Sequence, residues 1–231
     1  MNLEELIARD PKLHRGGKSW KLHDNVLRYI DRRIGDGAHT LETGCGLSTI
    51  MFAFKGCHHV CVSPDRFAVE KITEFCDEAG ISLERIRFEV APSERVLPGL
   101  ALDPLDLVLI DGSHSFPGVF IDWYYTAPAL ALGGAVVIDD LQIWTGEVLR
   151  DFLKAEEEWA LERDLPPRSV AFRKVAQVNP QKGWWLQRYV VEHSGPYRSS
   201  LGRSLGRALD LARRGEFATL AAKVKQRMTT R

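Results

Sequence analysis

Two short, almost uninterrupted apolar runs constrain the fold more than any other feature of the sequence. Residues 105–110 read Leu-Asp-Leu-Val-Leu-Ile, and residues 135–138 read Ala-Val-Val-Ile. Runs of this length and composition are typical of parallel strands that are buried on both faces. Because parallel strands are joined by long crossovers, usually helices, the runs predict an α/β fold with helices on both faces of a sheet.

The rest of the chain alternates between strand-like and helix-like segments, as this architecture requires. Apolar residues at helical spacing predict helices within residues 1–36, 48–54, 67–79, 116–132 and 146–162. Strands are predicted at residues 39–42, 59–62, 85–90, 105–110, 135–138, 170–172 and 184–191. The sequence therefore predicts one doubly wound α/β domain over residues 1–195, with N-terminal helices in residues 1–36. A basic amphipathic helical extension is predicted over residues 196–231.

The extension differs from the rest of the chain in charge. Residues 198–231 hold 9 Lys or Arg and 2 Asp or Glu, a net charge of +7, whereas residues 1–197 hold 22 basic and 29 acidic residues, a net charge of −7. The acidic body makes nucleic acid an unexpected partner. Three interpretations of the extension remain open: contact with an anionic membrane surface, packing on another subunit in a homo-oligomer, or a solvated helix.

Composition excludes several classes of protein. The 231 residues are 45% hydrophobic and 27% charged, so the chain can form a sizeable core and wholesale disorder is excluded. No apolar run reaches the roughly 18 residues that a membrane-spanning helix needs. The start of the sequence lacks the basic-then-apolar order of a secretory signal, and four cysteines do not make a disulfide framework. We therefore expect a cytoplasmic protein.

A glycine-containing loop follows the first predicted strand. Residues 42–49 read Glu-Thr-Gly-Cys-Gly-Leu-Ser-Thr, where open α/β sheets bind their ligands. The loop lacks the lysine of a phosphate-binding loop and the third glycine of the dinucleotide fingerprint. Glu42, two positions before Gly44, instead fits a ligand with a cationic amine, such as S-adenosylmethionine. The alternative is a tight strand-to-helix turn that binds no ligand.

Read together, three motifs resemble those of class I S-adenosylmethionine-dependent methyltransferases. They are residues 42–49, the sequence Asp-Leu-Val-Leu-Ile-Asp-Gly-Ser-His at 106–114, and Gly-Gly-Ala-Val-Val-Ile-Asp-Asp at 133–140. The chain is most similar to the branch that contains small-molecule and sugar O-methyltransferases, over about residues 38–192. The resemblance implies a mostly parallel seven-stranded sheet in the order 3-2-1-4-5-7-6, with the last strand antiparallel. Residues 170–172 and 184–191 would then fill the last two places.

The resemblance also implies a cofactor site at the carboxyl ends of the strands. The family usually ends its second strand with an acidic residue that binds the ribose hydroxyls, and this chain has Ser63 there. Ser63 or Asp65 is therefore expected to bind the ribose, and Ser93 is expected to contact the adenine. The full set of expected cofactor-binding residues is Glu42, Thr43, Gly44, Gly46, Ser48, Thr49, Ser63, Asp65, Ser93 and Asp111.

Three aspartates, Asp111, Asp139 and Asp140, follow the fourth and fifth predicted strands. If these strands are neighbours, about 4.8 Å apart, the carboxylates converge and repel one another unless a cation offsets them. Oxygen ligands favour a hard divalent cation such as Mg²⁺, and the resemblance to metal-dependent O-methyltransferases agrees. Such a cation would lower the pKa of the acceptor hydroxyl. Alternatively, Asp111 orders its loop, and Asp139 or Asp140 caps the next helix.

His114 lies three residues after Asp111, and we expect these two residues to be catalytic. The ordinary pKa of histidine, about 6.5, suits a general base acting on a hydroxyl, although a loop-packing histidine is an equal alternative. Trp144 either lines the acceptor pocket or packs against the fold.

The sequence thus predicts metal-assisted O-methylation of a small hydroxylated acceptor, either a sugar or a natural product. Three alternatives remain. They are a metal-independent N- or C-methyltransferase, a metal-binding enzyme of the same fold such as a hydroxylase, and a non-catalytic protein that keeps the fold.

Overall fold

Five parallel strands and one antiparallel hairpin form a single seven-stranded sheet. The computed structural model describes residues 2–17 and 20–194. Its strands are β1 (His39–Thr43), β2 (His58–Val62), β3 (Ile86–Glu89), β4 (Leu105–Ile110), β5 (Leu130–Ile138), β6 (Trp159–Leu165) and β7 (Ser169–Lys174). They lie in the order β3-β2-β1-β4-β5-β7-β6, and β7 is antiparallel to both of its neighbours. The predicted fold class and strand order are confirmed.

Helices cover both faces of this sheet. They are α1 (Leu3–Arg9), α2 (Asp24–Arg33), α3 (Leu47–Phe54), α4 (Arg66–Ala79), α5 (Ser93–Val96), α6 (Gly118–Thr126) and α7 (Trp144–Ala155). Side chains alternate along β4, so Leu107 and Leu109 pack in the core beneath α1 to α4. Val108 and Ile110 pack in the opposite core with α6 and α7. This two-sided burial explains why the strand is apolar at almost every position.

The strand register places three backbone ends side by side at one edge of the sheet. Thr43 pairs with Ile110, and Ile110 pairs with Ile138. The residue after β4 and the residue after β5 extend the backbone hydrogen bonding by one step. Asp111 N donates to Thr43 O at 3.1 Å, and Asp139 N donates to Ile110 O at 3.1 Å. The glycine loop and the two aspartate segments therefore leave the sheet at the same level.

The prediction for the last two strands was wrong in part. Residues 170–172 do lie in a strand, β7, but residues 184–191 form a 3-10 helix (Trp184–Leu186) and the start of α8 (Arg188–His193). The missing strand is β6, whose residues 159–162 were predicted as the end of a helix that in fact stops at Ala155. Since β6 pairs on one side only, its outward positions carry charged and helix-favouring residues, which conceal the strand pattern.

In the part of the chain that the structure describes, a boundary between two compact units falls after Gln181. The whole sheet lies in the first unit. The predicted extension over residues 196–231 lies outside the described residues. Within residues 2–17 and 20–194, none of the helices combines the length and apolar character that crossing a membrane requires.

Candidate active site

Gly44, directly after β1, is a glycine because the fold itself demands one there. Its φ is +94°, a conformation that side chains with a Cβ rarely adopt. A Cβ at this position would lie 2.3 Å from the backbone oxygen of Asp111, at the end of β4. The loops after β1 and β4 are therefore in direct main-chain contact, which requires glycine at position 44 whether or not a ligand binds.

Gly46, the second glycine of the loop, lies in open space. Its backbone is extended, with φ at 173°, and its N–H donates to Thr49 Oγ1 at 3.0 Å. The nearest atom to a Cβ at this position would be His14 Nε2, at 3.9 Å. No atom of the described chain crowds this position, so packing does not require glycine here.

A cavity of about 720 Å³ opens beside this loop. Its volume lies within the range usual for small-molecule and cofactor sites. One end is formed by the residues that follow β2 and β3, and the other by the residues that follow β4 and β5. Its lining comprises His14, Trp20, Lys21, Thr43, Gly44, Cys45, Val62, Ser63, Pro64, Asp65, Pro92, Ser93, Glu94, Asp111, Gly112, Ser113, His114, Asp140 and Arg168.

Four of the expected cofactor-binding residues are not in this lining: Gly46, at the end of the loop, and Glu42, Ser48 and Thr49, which lie beneath it. Glu42 is only 1% exposed. Its carboxylate accepts hydrogen bonds from Ser48 Oγ at 2.6 Å and from Thr49 Oγ1, and it lies 3.2 Å from His59 Nε2. In this geometry Glu42 joins the end of β1 to the start of α3 and to β2. Direct contact of these four residues with a cofactor stays a prediction.

Ser63, Asp65 and Ser93 do line the cavity, at the end that follows β2 and β3. Asp65 caps α4, since its Oδ1 accepts from Ala68 N at 3.1 Å, and its Oδ2 lies 3.3 Å from His14 Nδ1. The structure therefore adds His14 to this end. Sequence reasoning missed it because His14 belongs to an irregular segment 51 positions away in the chain.

At the other end of the cavity, two aspartates and a histidine converge. His114 Nε2 lies 3.0 Å from Asp140 Oδ2 and 3.8 Å from Asp111 Oδ1. One potential ligand atom from each of these three residues lies within 4.8 Å of the others. We call Asp111, His114 and Asp140 the acidic cluster. Its composition agrees with the prediction for Asp111 and Asp140.

The sequence predicted that Asp139 would lie with Asp111 and Asp140, but in the structure Asp139 lies outside the acidic cluster. It is buried, accepts a hydrogen bond from Ser169 Oγ, and lies 3.3 Å from a guanidinium nitrogen of Arg168. The structure therefore brings Asp111 and Asp140 together with His114 and leaves Asp139, one of the three expected ligands, outside this group.

Arg168, in the turn between β6 and β7, supplies a positive charge that the sequence did not predict at this site. Its guanidinium lies 3.2 Å from Asp140 Oδ1 and also donates to the backbone oxygen of Lys21 at 3.1 Å. Arg168 therefore joins the aspartates to the N-terminal segment that covers this end of the cavity. Because the sequence pattern did not reveal the β6–β7 hairpin, nothing predicted that the turn between these strands would bring Arg168 to the cavity.

Two carboxylates at this edge, those of Asp111 and Asp139, have raised pKa values. Burial, followed by repulsion from Asp139 and Asp140, raises the pKa of Asp111 well above its usual range. Burial also raises the pKa of Asp139, and the hydrogen bond from Ser169 and the charge of Arg168 partly oppose this shift. Because burial is the largest cause in both cases, the shifts reflect mainly the poor solvation of these carboxylates.

The segment that forms this edge of the sheet also matches a known family model. Residues 41–141 match the model of a methyltransferase domain. The matched segment runs from β1 to just past β5, so it contains the glycine loop and the whole acidic cluster. A search of curated proteins found no match to the sequence.

Several solved structures share the fold at low sequence identity. One is a methyltransferase from Geobacter sulfurreducens, with 14% identity and a TM-score of 0.61 over 74% of this chain and 90% of that one. Another is the O-methyltransferase TomG of Streptomyces achromogenes, involved in tomaymycin synthesis and solved with its cofactor, with 16% identity and a TM-score of 0.58 over 74% and 90%. A third is an rRNA methylase from Streptococcus thermophilus, with 13% identity and a TM-score of 0.50 over 65% and 95%. The fold is that of class I methyltransferases, and it leaves the acceptor open.

Proposed function

We propose that this protein is an S-adenosylmethionine-dependent methyltransferase that methylates an oxygen of a small hydroxylated acceptor. The observation that carries the proposal is the single cavity that extends from the glycine loop to the acidic cluster. A methyl donor and a proton acceptor would meet within it. The match of residues 41–141 to a methyltransferase domain supports the same conclusion.

The residues present fit the proposed cofactor. Gly44, which lines the cavity, carries no side chain that would keep a ligand from its backbone. Ser63 and Asp65 offer polar groups for ribose hydroxyls, and Pro92 and Ser93 line the same end for the adenine. The amino acid part of the cofactor would then lie near Gly44, with its methyl group toward Asp111.

The chemistry asks little of the protein beyond alignment and removal of a proton. When bound, S-adenosylmethionine would supply an activated methyl group: the acceptor oxygen would take it as the carbon–sulfur bond breaks, and sulfur would keep the bonding pair as a neutral thioether. Nε2 of His114 lies 3.0 Å from Asp140 Oδ2 and donates its hydrogen to that carboxylate, so the hydroxyl proton passes to Nδ1, the other ring nitrogen. The carboxylate of Asp140 also stabilises the imidazolium that forms.

The acidic cluster also fits a divalent cation. Its two aspartates, with the neighbouring Asp139, carry three negative charges when ionised against the one positive charge of Arg168, which leaves an excess of two. Carboxylate oxygens suit Mg²⁺ or Mn²⁺, and the imidazole of His114 favours transition metals. When bound, the cation would lower the pKa of the acceptor hydroxyl.

One observation favours a metal-independent version of the same reaction. The guanidinium of Arg168 already faces both Asp139 and Asp140, where the sequence placed the metal. His114 would then act only as a base, and the negative excess would attract a cationic acceptor such as an amine.

Isothermal titration with S-adenosylmethionine, with and without Mg²⁺ or Mn²⁺, tests the proposal. Absence of cofactor binding would refute it. Cofactor binding with methyl transfer that a chelator does not reduce would refute only the role of the metal. A panel of nucleotide sugars, polyols and amines with radiolabelled cofactor identifies the atom that is methylated.

Substitutions in the acidic cluster test the base. His114→Asn should lower turnover by at least about 100-fold, because a positioned base contributes this much, with cofactor affinity nearly unchanged. Asp103→Asn is the matched control, since Asp103 is 80% exposed and precedes β4 at the opposite edge of the sheet. Equal losses in turnover and cofactor affinity for His114→Asn would place this histidine in the cofactor site instead.

A further inference from the structure

Three consecutive large apolar side chains are exposed near the start of the second compact unit. Trp184, Trp185 and Leu186 are 40%, 65% and 62% exposed, and we call them the tryptophan patch. Within residues 2–17 and 20–194, no other three consecutive large apolar side chains are all exposed. Adjoining apolar side chains of this size usually mark a surface that another molecule covers.

The turn that carries the patch places its two aromatic rings side by side. Leu186 N donates to Gly183 O at 2.8 Å, which closes the 3-10 helix of the patch. The ring of Trp185 folds back over Gly183, because a Cβ there would lie 2.5 Å from Cζ2 of that ring. The rings of Trp184 and Trp185 meet edge to face, with centroids 6.0 Å apart. In the strand predicted for residues 184–191, the same two side chains would have pointed to opposite faces.

The boundary between the two compact units is also a boundary in charge. Residues 182–231 hold 11 Lys or Arg and 3 Asp or Glu, a net charge of +8, whereas residues 1–181 hold 20 basic and 28 acidic residues, a net charge of −8. One of the three acids, Glu192, already pairs with Arg188 at 3.0 Å. The tryptophan patch therefore belongs to a unit with a large excess of positive charge, which favours an anionic partner.

We propose that the second compact unit binds the surface of membranes that contain anionic phospholipids. Tryptophan favours the boundary between lipid headgroups and acyl chains, because its ring is apolar while its indole N–H still donates to water or lipid. Lysine and arginine near such a patch attract the lipid phosphates. The tryptophan patch enters the outer acyl region, and basic residues of the same unit bind the headgroups. This surface is separate from the cavity, so the inference does not depend on the proposed function.

A lipid surface suits this unit better than nucleic acid, another common anionic partner. Single-stranded nucleic acid also stacks on tryptophan rings and pairs with basic residues. However, it offers no apolar phase for an exposed aliphatic side chain such as Leu186. Further along the unit, the sequence also repeats apolar residues at helical spacing among basic ones, at Phe217, Leu220, Val224 and Met228. Such a pattern is typical of helices that lie on a membrane surface.

Vesicle sedimentation with the full-length protein tests the proposal. Vesicles of phosphatidylcholine alone are compared with vesicles of equal parts phosphatidylcholine and phosphatidylglycerol. Each basic residue near an anionic surface raises the affinity about fivefold, so we expect at least ~10-fold stronger binding to the anionic vesicles. This preference should disappear in ~1 M salt, where the Debye length falls to about 3 Å. Equal binding to both kinds of vesicle, or binding to neither, overturns the proposal.

Substitutions show whether the tryptophan patch makes the contact. The double variant Trp184→Ala, Trp185→Ala should bind anionic vesicles at least ~10-fold more weakly, because two rings that favour the interface are lost. Trp144→Ala is the matched control, since Trp144 is 63% exposed but lies in the first unit. Its vesicle binding should equal that of the wild type. Wild-type binding by the double variant, or an equal loss in the control, overturns the proposal.

A conservative pair of substitutions makes the test independent of any effect on folding. The double variant Trp184→Phe, Trp185→Phe keeps two apolar rings and should bind anionic vesicles within about threefold of the wild type. Phosphatidylcholine with brominated acyl chains, added to these vesicles, quenches the fluorescence of tryptophan that reaches the acyl region. We expect quenching in the wild type and its loss in the phenylalanine variant. Quenching that persists in this variant comes from other tryptophans and overturns the assignment.

Two other occupants of the patch give different results. Binding of a labelled single-stranded oligonucleotide that the alanine variant loses, without vesicle binding, identifies nucleic acid and overturns the proposal. A dimer in light scattering that the alanine variant dissociates, again without vesicle binding, identifies a second copy of the chain and also overturns it. Binding of S-adenosylmethionine is measured separately by isothermal titration, so this inference and the proposed function can each fail without the other.

Discussion

The same substitution, glycine to alanine, at positions 44 and 46 distinguishes a glycine that the fold requires from one that ligand binding would require. In Gly44→Ala, the new side chain meets a left-handed backbone that costs about 1–2 kcal/mol. It also meets the Asp111 oxygen at 2.3 Å, and overpacking of this kind costs about 1–3 kcal/mol. The sum is about 2–5 kcal/mol.

Gly46→Ala meets neither obstacle, since its backbone is extended and the nearest atom lies at 3.9 Å. Its effect on the free energy of unfolding should stay within about 0.5 kcal/mol. If Gly46 is a glycine so that a cofactor can approach, the same substitution should weaken the binding of S-adenosylmethionine by at least about tenfold, or about 1.4 kcal/mol.

Thermal unfolding and isothermal titration measure the two effects independently. For a chain of this size each kcal/mol shifts Tm by about 2–4 °C, so Gly44→Ala should lower Tm by roughly 4–20 °C and Gly46→Ala by no more than about 2 °C. Similar Tm values for both variants would refute the argument for Gly44. Wild-type cofactor affinity in Gly46→Ala would refute the argument for ligand approach.

Three further predictions concern charged residues near the cavity. Asp111→Asn should abolish turnover but stabilise the protein at neutral pH by about 1 kcal/mol, since it removes a carboxylate whose pKa is raised in the fold. The gain in Tm should grow as pH rises from about 4 through the folded pKa and disappear at lower pH, and a gain that is independent of pH would contradict the assignment. Glu42→Ala should lower the free energy of unfolding by about 3 kcal/mol, because it leaves buried hydroxyls and His59 without their acceptor, whereas Glu42→Gln should cost less in the same denaturant titration. Arg168→Gln should raise the affinity for Mn²⁺ several-fold in isothermal titration, because it removes the cation that faces Asp140, and a weaker Mn²⁺ affinity would show that Arg168 positions the ligands.

Some of this structure could be predicted because local patterns determined it. The apolar runs of β4 and β5 indicate burial on both faces. The strand order that the resemblance implied made them neighbours, and the structure has this pairing, which brings Asp111 and Asp140 to one edge. The edge strand β6 escaped prediction because only one of its sides is paired, so its sequence is free to look helical.

The missing parts of the site depend on contacts between distant segments. His14 and Arg168 reach the cavity from a segment and a turn whose placement no local pattern encodes. Asp139 is a different case. The sequence predicted that it would converge with Asp111 and Asp140, but its carboxylate accepts a hydrogen bond from Ser169, at the start of β7 in a hairpin that the sequence did not reveal.

The contact between the main chains at Gly44 and Asp111 has a consequence for how this protein can change. The spacing between the two loops is set by backbone atoms, which substitutions of the surrounding side chains leave in place. In the proposed reaction the distance between methyl donor and acceptor would therefore be set by the scaffold, while the other side chains that line the cavity are free to differ. One fold would then accept new substrates without a change in the geometry of transfer.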